Sequence, residues 1–196
     1  FAASSNLEAG RTYGVPTAGT AAHSFTLLHG SEEEAFRAQL ATQGKGTTLL
    51  VDTYDVEAAV RTAVELAGPE LGAVRIDSGD LAEQAVEVRA LLDSLGATKT
   101  RIIVTSDLDE YQIAALRGAP VDGYGVGTSL VTGSGAPTCS MVYKIVARAD
   151  SDAADATLEP VQKRSPNKAT IGGRKYALRR RNARGIAKAD VIGIGR

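Results

Sequence analysis

The chain has 196 residues, of which 43% are hydrophobic and 23% charged, with a net charge of −1. That profile excludes a collagen, a coiled coil, a disulfide miniprotein and a wholly disordered tail. No run approaches the roughly 20 consecutive apolar residues of a membrane span, and residues 1–10 lack the blocks of a signal peptide, so a soluble cytoplasmic protein is expected. The sequence opens on Phe1 rather than Met, which suggests a processed chain or a piece of a longer one. Cys139 is the single cysteine, so neither an intrachain disulfide nor a cysteine zinc site is expected.

Taken in chain order, residues 13–17 read as a strand, followed by helices over 22–28 and 32–42, the second opened by the capping signal Ser31-Glu32-Glu33-Glu34. The β-branched run 47–51 after Gly44 and Gly46 reads as a buried strand. Residues 55–67 follow as a helix with an apolar face of Val56, Ala59, Val60, Ala63, Val64 and Ala67, stopped by Gly68-Pro69. A strand over 73–76, a helix over 81–95 capped by Asp80, a strand over 101–105, a helix over 110–117 and a strand over 121–126 repeat the pattern. Beyond them, 141–147 reads as a strand, and 169–180 as a hairpin centred on Gly172-Gly173. The expected divisions are 1–149, a linker or surface loop over 150–159, and a small strand-rich appendage over 160–196.

Strands alternating with helices indicate the α/β class, either a doubly wound sheet or a (βα)-barrel. In both, chemistry collects at the carboxyl ends of the strands. Those ends carry Asp52, Asp77, Ser106 with Asp107, and the run Gly125-Val126-Gly127-Thr128. Carboxylates, a hydroxyl and a glycine-rich loop in successive units suit a polyol phosphate and a metal. About five units are visible, too few for a barrel of typical size, roughly 250 residues.

Charge is unevenly spread. Residues 1–160 hold 11 basic and 22 acidic groups, whereas 161–196 hold 11 basic and 1 acidic. The two parts should attract each other or a polyanion. Arg179, Arg180, Arg181 and Arg184 suggest nucleic acid less than a basic face docked on the acidic part, because Tyr176 is the single aromatic there and no recognition motif is present.

Each motif has a plain alternative. The glycine run is a phosphate cradle or a tight turn, and its G-x-G-x-G spacing is a poor dinucleotide fingerprint. Arg75 and Asp77 project from one side of a strand end, fit either for an anion and ribose hydroxyls or for an internal ion pair. His23, after a possible strand end, suits a general acid or base, a nucleophile toward phosphorus, or a structural contact.

Several phrases together resemble the nicotinate phosphoribosyltransferase family, of the type II phosphoribosyltransferases. They are GTAAHSF around His23, LLVDTYD around Asp52 to Asp55, RIDSGDL from Arg75, SDLDEY from Ser106 and YGVGTSL from Tyr124, with Ser4-Ser5-Asn6 before them and Lys163-Arg164-Ser165, Lys168 and Gly173-Arg174-Lys175 after them. The resemblance implies a partial irregular (βα)-barrel with a small β-rich C-terminal appendage, a homodimer, and formation of nicotinate mononucleotide and pyrophosphate from nicotinate and phosphoribosyl pyrophosphate. It further implies coupled ATP hydrolysis through phosphorylation of His23, and Mg²⁺ as cofactor. By position, Arg75 and Asp77 would hold the phosphoribosyl group, Gly125, Gly127 and Thr128 its 5′-phosphate, Ser106 would line the pocket, and Asp52 and Asp55 would organise Mg²⁺ or His23. Family members are around twice this length, so the chain reads as a carboxyl-terminal portion, poorly soluble alone if strand edges stay open. The rival readings are the nicotinamide branch of the same superfamily and a noncatalytic phosphoribosyl- or nucleotide-binding domain.

Overall fold

The computed structural model describes residues 1–133, 139, 141–165 and 168–195. Its first element is helix α1, Leu7–Tyr13, which overlaps the strand expected over 13–17 only at Tyr13. The helix is set locally: the Asn6 side chain accepts from the Ala9 N–H, and Gly14 ends the helix at φ 67°. What remains is a single parallel bridge between Ser4 and Thr17.

Helices α2, His23–Leu28, and α3, Glu32–Gln43, follow as read. Ser31 caps α3 through the Glu34 N–H. The Glu34 carboxylate reaches back to the Gly30 N–H rather than to Ser31, so the reciprocal half of the box is displaced by one residue.

The body of the protein is a run of strand-helix units. Strands β1 (Thr48–Leu50), β2 (Ala73–Ile76), β3 (Arg101–Val104) and β4 (Gly123–Tyr124) alternate with α4 (Val56–Ala67), α5 (Leu81–Ser94) and α6 (Glu110–Ala115), and β4 leads into α7 (Thr128–Thr132). A short 3-10 turn, Leu116–Gly118, extends α6. Asp55, Asp80 and Asp109 cap α4, α5 and α6 through the backbone N–H groups of their first turns, each replacing a hydrogen-bond partner that a helix start lacks.

The four strands form one parallel sheet in the order β1-β2-β3-β4. Sequential order with right-handed crossovers puts successive helices on one face, and α3 packs on α4 and α4 on α5 accordingly. A doubly wound sheet needs a reversal of strand order, and these four strands contain none. Period-two alternation then divides the strands. Val74, Ile76, Ile102 and Val104 face the helices and are fully buried against Val60, Ala63, Val88 and Leu92, while Arg75 turns the other way, toward the site.

The remainder departs further from expectation. Of the strand expected over 141–147, β5 keeps only Ala147–Arg148, paired antiparallel with β6, Glu159–Pro160, and Met141, Val142 and Tyr143 are exposed. The hairpin exists, but it is β7 (Lys175–Arg181) with β8 (Ala187–Ile194). Its turn is built by Asn182, whose Oδ1 accepts from Arg184 and Ile186, and by Gly185 at φ 76°. Gly172-Gly173 serves close packing instead: a Cβ on Gly172 would meet Pro160 and the Val161 carbonyl at 3.0 Å, and the Gly173 N–H donates to the Val146 carbonyl at 2.6 Å. Residues 161–165 and 168–173 make up a strap that returns across the carboxyl ends of the sheet, tied to the Thr53 carbonyl by the Arg164 N–H at 2.9 Å. Among the described residues, no helix is long and apolar enough to cross a membrane.

Candidate active site

Adjacent parallel strands bring residues far apart in sequence to one edge. Asp52 follows β1, Asp77 follows β2, Thr105 and Ser106 follow β3, and Gly125 follows β4. Their backbones are locked by ladder bonds that run past the strands, from Val51, Thr105 and Gly125 N–H groups to the Arg75, Ile76 and Val104 carbonyls.

Asp77 is the hub. Its Oδ1 accepts from Arg75 Nη2 at 3.1 Å and from the Thr105 hydroxyl. Its Oδ2 lies 3.4 Å from His23 Nε2 and 3.9 Å from Lys168 Nζ. Burial alone raises the pKa of this carboxyl. The contacts with His23 and Thr105 and the charges of Arg75 and Lys168 outweigh it, and Asp77 is held well below the usual carboxylate range.

Arg75 is fixed on three sides, with Nε donating to Thr105 Oγ1 at 3.0 Å, Nη1 to Thr20 Oγ1 at 2.6 Å and Nη2 to Asp77. A guanidinium has five N–H groups, so two remain for a ligand.

His23 begins α2, with its side chain 12% exposed. Nδ1 lies 3.1 Å from Thr53 Oγ1; Nε2 lies 2.7 Å from Lys163 Nζ and 3.8 Å from Asp52 Oδ1. Asp52 itself is buried, and its Oδ2 accepts from the Asp77 N–H at 3.1 Å and the Ser78 hydroxyl at 2.5 Å. Asp52 Oδ1 is buried with no hydrogen-bond partner among the described residues.

The strap supplies the cations. Lys163 is 1% exposed, pinned by its N–H to Thr170 Oγ1 and by its carbonyl to the Thr170 N–H, each at 3.0 Å. Burial pushes its ammonium pKa down, while Asp52 and Asp77 oppose the fall. Lys168 Nζ donates to the Asp77 carbonyl at 2.7 Å and to Ser106 Oγ at 2.9 Å. Ser106 holds φ 121° and Asp107 φ 50°, a turn in the region that disfavours side chains.

The glycine loop adjoins this cluster through Thr105. A Cβ on Gly125 would meet Thr105 Cγ2 at 2.5 Å, so only glycine fits against the threonine that holds Asp77 and Arg75. Gly127 precedes α7 with no side-chain cap, and Thr128 begins the helix, so N–H groups of its first turn are open to an anion. Thus His23, Asp52, Arg75, Asp77 and Ser106 form one hydrogen-bonded or close-contact network, bordered by Gly125, Gly127 and Thr128. Asp55 stands apart, its Oδ1 spent on the Ala58 N–H as the cap of α4.

Lys163, Lys168, Thr20, Thr53 and Thr105 carry contacts to which the sequence reading gave no role. For the lysines a signal existed, since the basic final segment was expected to dock on the acidic part. Nothing in the sequence said which two would be inside.

The chain is 59% identical, over 98% of its own length, to a nicotinate phosphoribosyltransferase of Mycobacterium tuberculosis. The chain belongs to the nicotinate phosphoribosyltransferase family. A second relative bearing that name, from Bacillus subtilis, is 37% identical over 91% of the chain. The chain spans only 43% of the first of these family members and 38% of the second. No family model matches the sequence. The fold agrees with the family: a nicotinate phosphoribosyltransferase structure from Porphyromonas gingivalis superposes with a TM-score of 0.70 at 19% identity, covering 85% of this chain and 47% of that one. A nicotinate-nucleotide pyrophosphorylase structure from Pyrococcus furiosus gives 0.61 at 23% identity over 98% and 46%.

Proposed function

We propose that the protein containing this chain forms nicotinate mononucleotide and pyrophosphate from nicotinate and phosphoribosyl pyrophosphate, with ATP hydrolysis coupled through His23, as a step of NAD biosynthesis. One observation carries the reading: in a chain so similar to enzymes of that name, the half-buried His23 sits at the sheet ends in contact with Asp77, Asp52 and Lys163. We further propose that the four-stranded sheet is part of an irregular (βα)-barrel, and that the protein works as a cytoplasmic homodimer.

The reaction forms a bond from the pyridine nitrogen to the anomeric carbon as the bond to the pyrophosphate oxygen breaks. Positive charge grows on the ribose and negative charge on the leaving group, and a fixed site must answer both. Asp77, kept ionised by its neighbours, is suited to the ribose hydroxyls and to the cation-like ring. Arg75, immobilised by Asp77, Thr105 and Thr20, offers its two remaining N–H groups to phosphate oxygens with little loss of side-chain freedom. Gly125, Gly127 and Thr128 are suited to the 5′-phosphate, with Ser106 at the rim.

Mg²⁺ fits through the unpartnered Oδ1 of the buried Asp52. No group of three or more metal-ligating acids, histidines or cysteines occurs among the described residues, so most of its ligands would be phosphate oxygens and water. Asp55, engaged as a helix cap, does not fit. When bound, the ion would offset charge on the leaving pyrophosphate.

The test is product formation by the intact protein supplied with phosphoribosyl pyrophosphate, Mg²⁺ and either nicotinate or nicotinamide, with and without ATP. Nicotinate mononucleotide whose yield rises with ATP, and falls to the ATP-free level or below in His23→Ala, is the expected outcome. Product from nicotinamide alone would move the protein to the other branch. No mononucleotide from either base would leave a noncatalytic binding domain.

A further inference from the structure

We infer that Lys163 is a positioning residue for His23: its ammonium holds Nε2 in the resting protein and moves onto the phosphoryl oxygens once Nε2 is phosphorylated. This rests on the reading above that ATP phosphorylates His23.

The resting contact follows from what each group can donate. Lys163 Nζ lies 2.7 Å from His23 Nε2. An ammonium has three hydrogens and no lone pair, so this is a hydrogen bond when Nε2 is bare and the ring hydrogen sits on Nδ1. Nδ1 then donates to Thr53 Oγ1 at 3.1 Å. This tautomer is assigned from the network of contacts. The competing tautomer would send a hydrogen from Nε2 to Asp77 Oδ2 over 3.4 Å, a longer contact, and set that N–H against the ammonium. With Nε2 bare, Asp77 is held ionised by Thr105, Arg75 and Lys168 rather than by His23.

A nucleophilic nitrogen facing Asp77 Oδ2 at 3.4 Å and Asp52 Oδ1 at 3.8 Å is poorly placed to receive a dianion unless a cation stands between. Lys163 is that cation, 3.8 Å from Asp52 Oδ2 and 1% exposed. Burying it for packing alone is unfavourable, because an apolar side chain of similar volume fills such space without desolvating a charge. Its place on the strap, tied through Thr170 and the neighbouring Arg164 N–H, aims it at the histidine.

In the step itself the Nε2–phosphorus bond forms and the bond from the γ-phosphorus to its bridging oxygen breaks. ADP leaves with that electron pair, and Nδ1 keeps its hydrogen. The product joins a dianionic phosphoryl group to a cationic ring. Lys163, displaced from the nitrogen by the new bond, donates to the phosphoryl oxygens instead.

The experiment uses the intact protein labelled with ¹⁵N-histidine. Its ¹⁵N shifts report which ring nitrogen of His23 carries hydrogen, and acid-labile phosphate on His23 is timed after addition of Mg-ATP. We expect a bare Nε2 in the wild type. In Lys163→Met we expect hydrogen on Nε2 and phosphorylation at least about tenfold slower, the loss of one charge-assisted hydrogen bond, with rate largely restored in Lys163→Arg. Hydrogen on Nε2 of the wild type overturns the inference without recourse to any variant. So does Lys163→Met phosphorylated at the wild-type rate. A wild type that takes up no phosphate overturns the phosphohistidine reading and with it the transfer of Lys163, whereas the ¹⁵N shifts decide the resting contact separately.

Discussion

At the scale of residues, the site balances groups that want opposite environments. Asp77 is depressed by its partners, so its contribution to stability is present above the ordinary carboxylate range and is lost as pH falls toward its lowered folded value. Between pH 5 and 3 the wild type should therefore lose melting temperature more steeply than Asp77→Asn. Glu32 has the opposite sign. Burial, then the charges of Asp52 and Asp55, raise it to about 8, so the folded state binds a proton that the unfolded state releases, and stability falls as pH rises between the ordinary glutamate value and 8. Glu32→Gln should raise the melting temperature at pH 9 by at least about 3 °C and leave it nearly unchanged at pH 4, by the usual scaling for a chain of this size. Backbone strain gives a third test. Ser106 at φ 121° suits glycine better than any side chain, so Ser106→Gly should be more stable than Ser106→Ala by about 1–2 kcal/mol in denaturant melts, although both lose the Lys168 contact.

At the scale of elements, the sequence was most legible where caps and periodicity agree. β2 and the start of α5 lie where they were read, because an apolar run is followed by Asp80 and an amphipathic stripe. Helix α1 over Leu7–Tyr13 was not legible, since it hinges on Asn6 capping a weakly apolar stretch, and of the strand expected over 13–17 only the bridge at Thr17 forms. The hairpin was found but misplaced, because Gly172-Gly173 looks like a turn and in fact packs against Pro160 and Val161. Nor could spacing reveal Lys163, whose partner His23 lies 140 residues away. Elements also differ in how well they are held. β2 is buried between two neighbours, whereas every residue of β7 is exposed and its sheet has one partner strand. Two-stranded ribbons are marginal, so amides of 175–181 should exchange at least about a hundredfold faster than those of 73–76.

At the scale of the whole molecule, charge separation along the chain becomes contact in space. The acidic part furnishes the sheet ends, and the basic final segment sends Lys163 and Lys168 into them while leaving Arg179, Arg180, Arg181 and Arg184 on the exposed hairpin and its turn. Met141, Val142, Tyr143 and Val131 are between 70% and 89% exposed, a spread of apolar surface that single domains seldom show to water. Residues 1–196 alone should therefore associate in size-exclusion chromatography, with the elution position shifting over a tenfold dilution. The strap has a further consequence for a chain made from one end. When residue 160 has been added, the sheet, His23, Asp52, Arg75 and Asp77 all exist, yet the buried ammonium does not. Among the described residues of 1–160 the acidic mouth is answered by Arg75 alone, and its charge balance is set within the next ten residues, as Lys163, Lys168 and Thr170 are added.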